Sequence, residues 1–178
     1  MIPKKIHYCW FGKGKMPELA LKCIESWRVN LPDYELKEWN ENSFDINSNF
    51  YVKEAYESRK FAFVTDYVRL YALYTEGGIY MDTDVEVLKN LDPFLDLPAF
   101  SGFEDNVHIP TGIMAAEKGS VWAGWQLKYY DDRHFLLPDG TLDLTTNVEI
   151  IGRLMGEKGF ILRNGLYNFQ NIITIFPR

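Results

Sequence analysis

The run from Phe61 to Val87, FAFVTDYVRLYALYTEGGIYMDTDVEV, constrains this chain most. Phe61, Val64, Val68, Tyr71 and Leu73 recur at near-helical spacing, so Lys60 to Glu76 is predicted as a helix with a broad apolar face. Gly77-Gly78 is a natural helix stop. Ile79-Tyr80-Met81 then reads as a short buried strand, with Val85 to Leu88 continuing extended. Asp82 and Asp84 follow the strand with only Thr83 between them. On an extended backbone, residues i and i+2 point to the same side. Two such carboxylates are a poor structural element and a good seat for a hard divalent cation, Mn2+ or Mg2+, which takes carboxylate oxygens and bridges to a phosphate. The plainer reading is a solvated loop with Asp82 as a turn former.

The flanking segments alternate strand and helix. Lys5 to Phe11 is aromatic and β-favouring and stops at Gly12-Lys13-Gly14. Pro17 suits the first turn of a helix running to about Val29, whose apolar face is Ala20, Cys23, Ile24 and Trp27. Tyr34 to Trp39 alternates as a strand, and Asn40 to Asn49 is polar loop or short irregular helix. Tyr51 to Arg59 is predicted helical. Further strands are expected at Phe100 to Phe103, Ile113 to Ala116, Phe160 to Leu162 and Ile172 to Phe176. Helices are expected at Gly119 to Tyr130 and at Thr145 to Gly156, the latter capped by Thr145 or Thr146. This order predicts an α/β fold with a mostly parallel sheet flanked by helices. Ligands of such sheets bind beyond the carboxyl ends of the strands, where Asp82 and Asp84 lie.

A length of 178 residues with 47% hydrophobic content suits one domain around one core. A formal charge of −6 disfavours nucleic acid or an anionic membrane held by bulk charge. Cys9 and Cys23 fall on apolar faces and read as buried free thiols of a reducing compartment. No signal-peptide core follows Met1, and no apolar stretch is long enough to span a bilayer. The expected localisation is cytoplasmic, with room for peripheral docking at the inner face of the membrane. Ile172 to Phe176 resembles a core strand, yet the chain stops two residues later, so C-terminal truncation is expected.

Further residues could carry chemistry. Asp66 and Arg69 share a helix face at i, i+3 within an apolar stretch. They are either a local ion pair or a sugar and phosphate contact. Trp10, at the end of the first strand, is either core or a ring that stacks on a nucleotide base. His7 reads as a satisfied core histidine, and His108 and His134 as surface loop residues. Asn147 is a polar contact or a helix cap. Gly12-Lys13-Gly14 lacks the GxxxxGK[ST] pattern of a phosphate loop. Glu104 and Asp105 are either solvated or near an acceptor.

The segment IPKKIHYCWFG followed by FAFVTDYVRLYALYTEGGIYMDTDVEVLKNLDPF resembles the DXD-containing sugar-transferase family (glycosyltransferase family 32-like). Its members include bacterial capsular-polysaccharide glycosyltransferases and yeast initiating mannosyltransferases; the clostridial glucosylating toxins are distant relatives. The likeness covers most of Ile2 to Phe103 and rests on the ordered set Trp10, Asp66, Arg69, Gly77-Gly78, Tyr80 and Asp82-Thr83-Asp84. Gly112 to Lys118 is similar to a later segment of the family.

The resemblance implies a GT-A-like nucleotide-diphospho-sugar transferase fold and retaining transfer from a nucleotide-sugar, usually a UDP-sugar, with Mn2+ or Mg2+ at the DXD. Residues 1–103 would form the nucleotide-sugar-binding part and 104–178 an acceptor-side part. Trp10 would approach the base. Asp66 and Arg69 would hold the donor sugar, Arg69 near the diphosphate. Tyr80 would line the pocket, Asp82 would contact ribose or sugar and reach the metal through water, and Asp84 would ligate it directly. The acceptor would be a glycan or lipid-linked glycan of capsular or surface polysaccharide. Relatives continue past the last strand with a further metal or diphosphate contact. Two alternatives stand beside this reading: a nucleotide-sugar-binding fragment without turnover, and a haloacid-dehalogenase-like phosphohydrolase. The latter needs its Asp-x-Asp after the first strand and in a DxDx[TV] pattern; here Glu86 takes the last position.

Overall fold

The computed structural model describes residues 1–178. Seven strands and five α-helices succeed one another as β1 (Lys5–Cys9), α1 (Glu18–Asn30), β2 (Glu35–Trp39), α2 (Phe50–Glu57), α3 (Phe61–Glu76), β3 (Gly78–Met81), β4 (Ala99–Gly102), β5 (Ile113–Ala116), α4 (Val121–Lys128), α5 (Asn147–Glu157), β6 (Tyr167–Phe169) and β7 (Ile173–Phe176). Short 3-10 turns occupy Ile46–Ser48 and Asp92–Phe94.

All strands join one sheet in the order β2-β1-β3-β5-β4-β7-β6. β1 pairs parallel with β2 and β3, and β4 pairs parallel with β7. β5 runs antiparallel between β3 and β4, and β6 runs antiparallel to β7 at the edge. Five strands therefore point one way and two the other. The sheet is mostly parallel in direction, but half of its ladders are antiparallel because β5 and β6 each return against a neighbour.

The two sheet faces bury separate cores. In β3, Ile79 and Met81 join the cluster containing Ile24 and Trp27 of α1. Tyr80 between them joins the larger cluster with Val64 and Val68 of α3 and Trp122 of α4. That is the period-two alternation of a strand covered on both faces. No helix is long and apolar enough to cross a membrane.

The helix-to-strand passage turns on two glycines. Gly77 has φ +70° and Gly78 has φ +118°, both in the left-handed region. A Cβ at Gly78 would lie 2.6 Å from the Lys5 carbonyl oxygen, so the close approach of β3 to β1 needs glycine there. The Gly77 carbonyl then accepts from His7 Nε2 at 2.8 Å, and His7 Nδ1 accepts from Trp39 Nε1 at 3.0 Å. Burial lowers the His7 pKa, so His7 is a neutral core histidine with both nitrogens engaged.

Two expectations change, and a third is narrowed. Val85 to Leu88 joins no strand: α1 takes its backbone instead, through Trp27 Nε1 to Val85 O at 2.7 Å, Asn30 Nδ2 to Val87 O at 2.8 Å and Val87 N to Ser26 Oγ at 2.9 Å. Phe160 to Leu162 is irregular, with Ile161 exposed, and the late strand is Tyr167–Phe169. Phe160 packs edge-on against the Tyr167 and Phe169 rings rather than pairing its backbone. At α5 the cap is Thr146, in a reciprocal capping box with Glu149.

Candidate donor-binding cleft

β1 and β3 are parallel neighbours, so their carboxyl ends open side by side. Beyond them lies a cleft of about 670 Å³. Cys9, Trp10 and the Gly12 loop supply one side, Phe61, Ala62, Thr65 and Arg69 of α3 another, and Tyr80 with Asp82, Thr83 and Asp84 the floor. The α3 positions follow helical spacing along one stripe. Of the expected site residues, Trp10, Arg69, Tyr80, Asp82 and Asp84 meet here.

The backbone at the carboxylates is not extended. Val85 N donates to Asp82 O at 3.0 Å, closing a turn with Thr83 and Asp84 at its centre. The pleat argument for two carboxylates on one side therefore fails here. Asp and Thr are turn formers, and this local preference overrides continuation of the strand. The turn is anchored by Asp82 N donating to Gly112 O at 2.8 Å.

Asp82 is already engaged. Its Oδ1 accepts from the Tyr80 hydroxyl at 2.7 Å and faces Arg69 Nη2 at 3.4 Å. Burial pushes the Tyr80 hydroxyl well above its usual pKa, so it stays a donor. Asp84 is exposed and has no hydrogen bond or ion pair within the protein. Its oxygens are free for an external partner.

Arg69 is 5% exposed and fully employed. It faces Asp66 Oδ1 at 3.2 Å, donates to Thr111 O at 2.7 Å and to Thr65 O at 3.3 Å, and lies 4.7 Å from the centre of the Tyr80 ring. Burial alone would lower its pKa; the surrounding Tyr80, Asp66 and Asp82 hold it above the ordinary value. Asp66 stands behind Arg69 rather than in the cleft lining. Burial pushes its carboxyl up to about 6 against the pull of Arg69 and Asn147. Asn147 is 2% exposed at the start of α5, and its Nδ2 donates to the Asp66 carbonyl at 3.0 Å, while Oδ1 has no partner. Asn147 thus ties α5 to α3 beneath the cleft.

Trp10 has left β1, and its Nε1 donates to Gly14 O at 2.6 Å. Cys9 lines the cleft as a thiol that burial holds far above its usual pKa. Glu104, Asp105 and His108 gather in the loop after β4, where His108 Nδ1 meets Asp105 Oδ2 at 2.6 Å. His134 pairs with Glu54 at 2.6 Å on the surface. Sequence reasoning missed Arg59, Phe61 and Thr65 as lining residues. Thr65 and Phe61 stand one and two turns before Arg69 on its own helix, and that spacing could have found them.

Residues 17–101 match the family described as "Glycosyltransferase sugar-binding region containing DXD motif". This stretch, just under half of the chain, is similar to the DXD-containing sugar-binding region of glycosyltransferases. It includes Arg69, Tyr80 and the DXD; Trp10 precedes it. Inositol phosphoceramide mannosyltransferase 3 of Schizosaccharomyces pombe is 33% identical over 122 residues, 66% of this chain and 34% of that protein. Mannosyl phosphorylinositol ceramide synthase CSH1 of Saccharomyces cerevisiae is 30% identical over 129 residues, 68% of this chain and 32% of that protein. The chain thus spans about a third of the length of these relatives. The solved PaToxG glycosyltransferase superposes with a TM-score of 0.61 at 17% identity, over 89% of this chain and 69% of that one. Its likeness establishes the fold, a glycosyltransferase fold of the GT-A type, around the sugar-binding region.

Proposed function

We propose that this chain is the donor-binding part of a metal-dependent retaining glycosyltransferase. It takes a nucleotide-sugar, a UDP-sugar in the first instance, and serves a glycan or lipid-linked glycan acceptor of capsular or other surface polysaccharide. Residues 1–103 form the donor side, residues 104–178 contribute to the acceptor side, and the protein works in the cytoplasm or at the inner face of the membrane. The observation that carries this reading is the convergence of Trp10, Arg69, Tyr80, Asp82 and Asp84 on one cleft at adjacent strand ends.

The donor set suits a hard divalent ion. Asp84 offers unengaged carboxylate oxygens, and Asp82 retains Oδ2 while its Oδ1 is held. Asp84 would hold Mn2+ or Mg2+ directly and Asp82 would support it. Bound there, the ion supplies Lewis-acid neutralisation of the diphosphate leaving group. The protein's own part is positioning. Tyr80 and Arg69 fix the Asp82 carboxylate, while Asp66 holds Arg69 from behind and Asn147 holds the Asp66 backbone. Trp10 offers a half-buried ring for the base. Retention proceeds by same-face attack of the acceptor hydroxyl, assisted by the departing phosphate, because no further carboxylate lines the cleft as a nucleophile.

Mn2+-dependent hydrolysis of a panel of UDP-sugars and GDP-mannose tests this, with Asp84→Ala as control. GDP-mannose is included because the yeast relatives are named for mannosyl transfer. Turnover of one donor, lost in the variant, supports the reading and names the donor. Metal-dependent UDP binding without turnover assigns a binding-only domain. Neither binding nor turnover overturns the site.

A further inference from the structure

The loop after β1 forms one wall of the cleft without belonging to any element of secondary structure. Gly12 has φ +91° and Lys13 φ +57°, so its conformation is not one an unrestrained chain would hold. Trp10 closes the loop on itself through Gly14. A second tie comes from outside: Gly12 N donates to Glu41 Oε1 at 2.6 Å. The same oxygen accepts from the Tyr56 hydroxyl of α2 at 3.0 Å.

Glu41 is itself firmly placed. Trp10 N donates to Trp39 O at 2.9 Å, extending the β1–β2 pairing up to the loop. The chain then closes on Asn40, whose carbonyl accepts from Ser43 N at 3.1 Å and Phe44 N at 3.0 Å. The other wall is equally close. A Cβ at Gly12 would lie 2.5 Å from Phe61 Cε2, so the loop backbone rests directly on the Phe61 ring. Tyr56 meets that ring edge-on at 5.4 Å. Glu41 does not line the cleft, but it ties the Gly12 wall to Tyr56, which packs against Phe61 of the other wall.

We propose that Glu41 is a positioning residue of the cleft. Its carboxylate seats the Gly12 loop on Phe61 and so sets the width of the slot for the donor's base. This rests on the nucleotide-sugar reading of the cleft. Burial alone would raise the Glu41 pKa; the backbone amides, the Tyr56 hydroxyl and the charge of Lys13 bring it below the ordinary value, so it is a carboxylate at neutral pH. A carboxylate accepting a backbone N–H is among the stronger hydrogen bonds available.

The test uses the full chain with Glu41→Ala, Glu41→Gln and Tyr56→Phe. UDP affinity in Mn2+ is measured by calorimetry, and trypsin cleavage after Lys13 and Lys15 by mass spectrometry. Glu41→Ala is expected to weaken UDP about tenfold and to speed cleavage at these two lysines above all others. Glu41→Gln keeps an acceptor for Gly12 N and is expected to stay close to wild type, with Tyr56→Phe intermediate. Wild-type affinity and wild-type cleavage in Glu41→Ala overturn the proposal. So does a slowing or speeding spread over all cleavage sites, which marks general destabilisation. Should Glu41→Ala not fold, Tyr56→Phe carries the same two readouts, and wild-type values there count against the proposal. If wild type binds no UDP, the functional reading falls and the base-slot role with it. Faster loop cleavage in the variant would still establish the tie itself.

Discussion

Arg69 Nη2 lies 3.4 Å from Asp82 Oδ1, so one helix side chain fixes the carboxylate at the end of the neighbouring strand. The same nitrogen faces Asp66 at 3.2 Å. One buried cation therefore holds two anions, and the site is organised before any ligand arrives.

Removing that cation leaves Asp66 nearly buried and without its partner. Arg69→Ala should lower stability by about 3–5 kcal/mol, the usual cost of breaking a buried pair from one side. Adding Asp66→Asn removes the stranded charge and should restore part of the loss. Urea denaturation of the single and double variants checks this. A single variant within about 1 kcal/mol of wild type would mean that Asp66 is solvated in place.

The two DXD carboxylates should separate in their effects. Asp84 is exposed and unpartnered, so Asp84→Ala should leave the melting temperature within about 1 °C while abolishing metal-dependent nucleotide binding. Asp82 serves Tyr80 and Arg69, so Asp82→Ala should abolish binding and also lower the melting temperature. Thermal scans and calorimetry on the same preparations decide it. Equal thermal losses in both variants would contradict the assigned division.

The local parts of this arrangement were legible in the sequence. The helix stop at Gly77, the Ile79 to Met81 strand and the placing of Trp10 and Asp82 at strand ends all follow from periodicity and turn chemistry over a few residues. Other features depend on partners far along the chain. Glu41 reaches Gly12 across 29 positions, and Asn147 reaches Asp66 across 81. Neither has a local signature, because Asn147 resembles any residue at a helix start and Glu41 any loop acid. The antiparallel course of β5 is of the same kind: its apolar run is equally compatible with either direction. The DXD turn is different. Its residues favour turns, but the strand before it outweighed that signal in a reading confined to neighbours.

Asp66 gives the folded state a pH signature. Burial raises its carboxyl to about 6, above the value of about 3.9 for an unfolded chain. Between these values the folded state binds more protons than the unfolded one, so this group's contribution to stability is full below about pH 3.9 and is lost as the pH rises through about 6. Asp66→Asn cannot ionise. The difference in stability between variant and wild type should therefore shift in the variant's favour as the pH rises from about 4 to 7. Denaturation curves at a series of pH values test this, and a pH-independent difference would place the Asp66 pKa at its ordinary value.

Gly78 and Gly119 separate steric need from backbone preference. Both have positive φ, +118° and +74°. A Cβ at Gly119 meets nothing within 4 Å, whereas one at Gly78 meets the Lys5 carbonyl at 2.6 Å and His7 Nε2 at 3.1 Å. Gly119→Ala should cost only the left-handed penalty, about 1 kcal/mol. Gly78→Ala must in addition push β3 away from β1 and disturb the His7 contact to Gly77. Its cost should exceed that of Gly119→Ala by about 2 kcal/mol or more. Because β1 and β3 carry Trp10 and Asp82 at their ends, the same variant should also weaken nucleotide binding, which Gly119→Ala leaves unchanged. Equal costs for the two substitutions in denaturant titrations would show that the β1–β3 contact yields without loss.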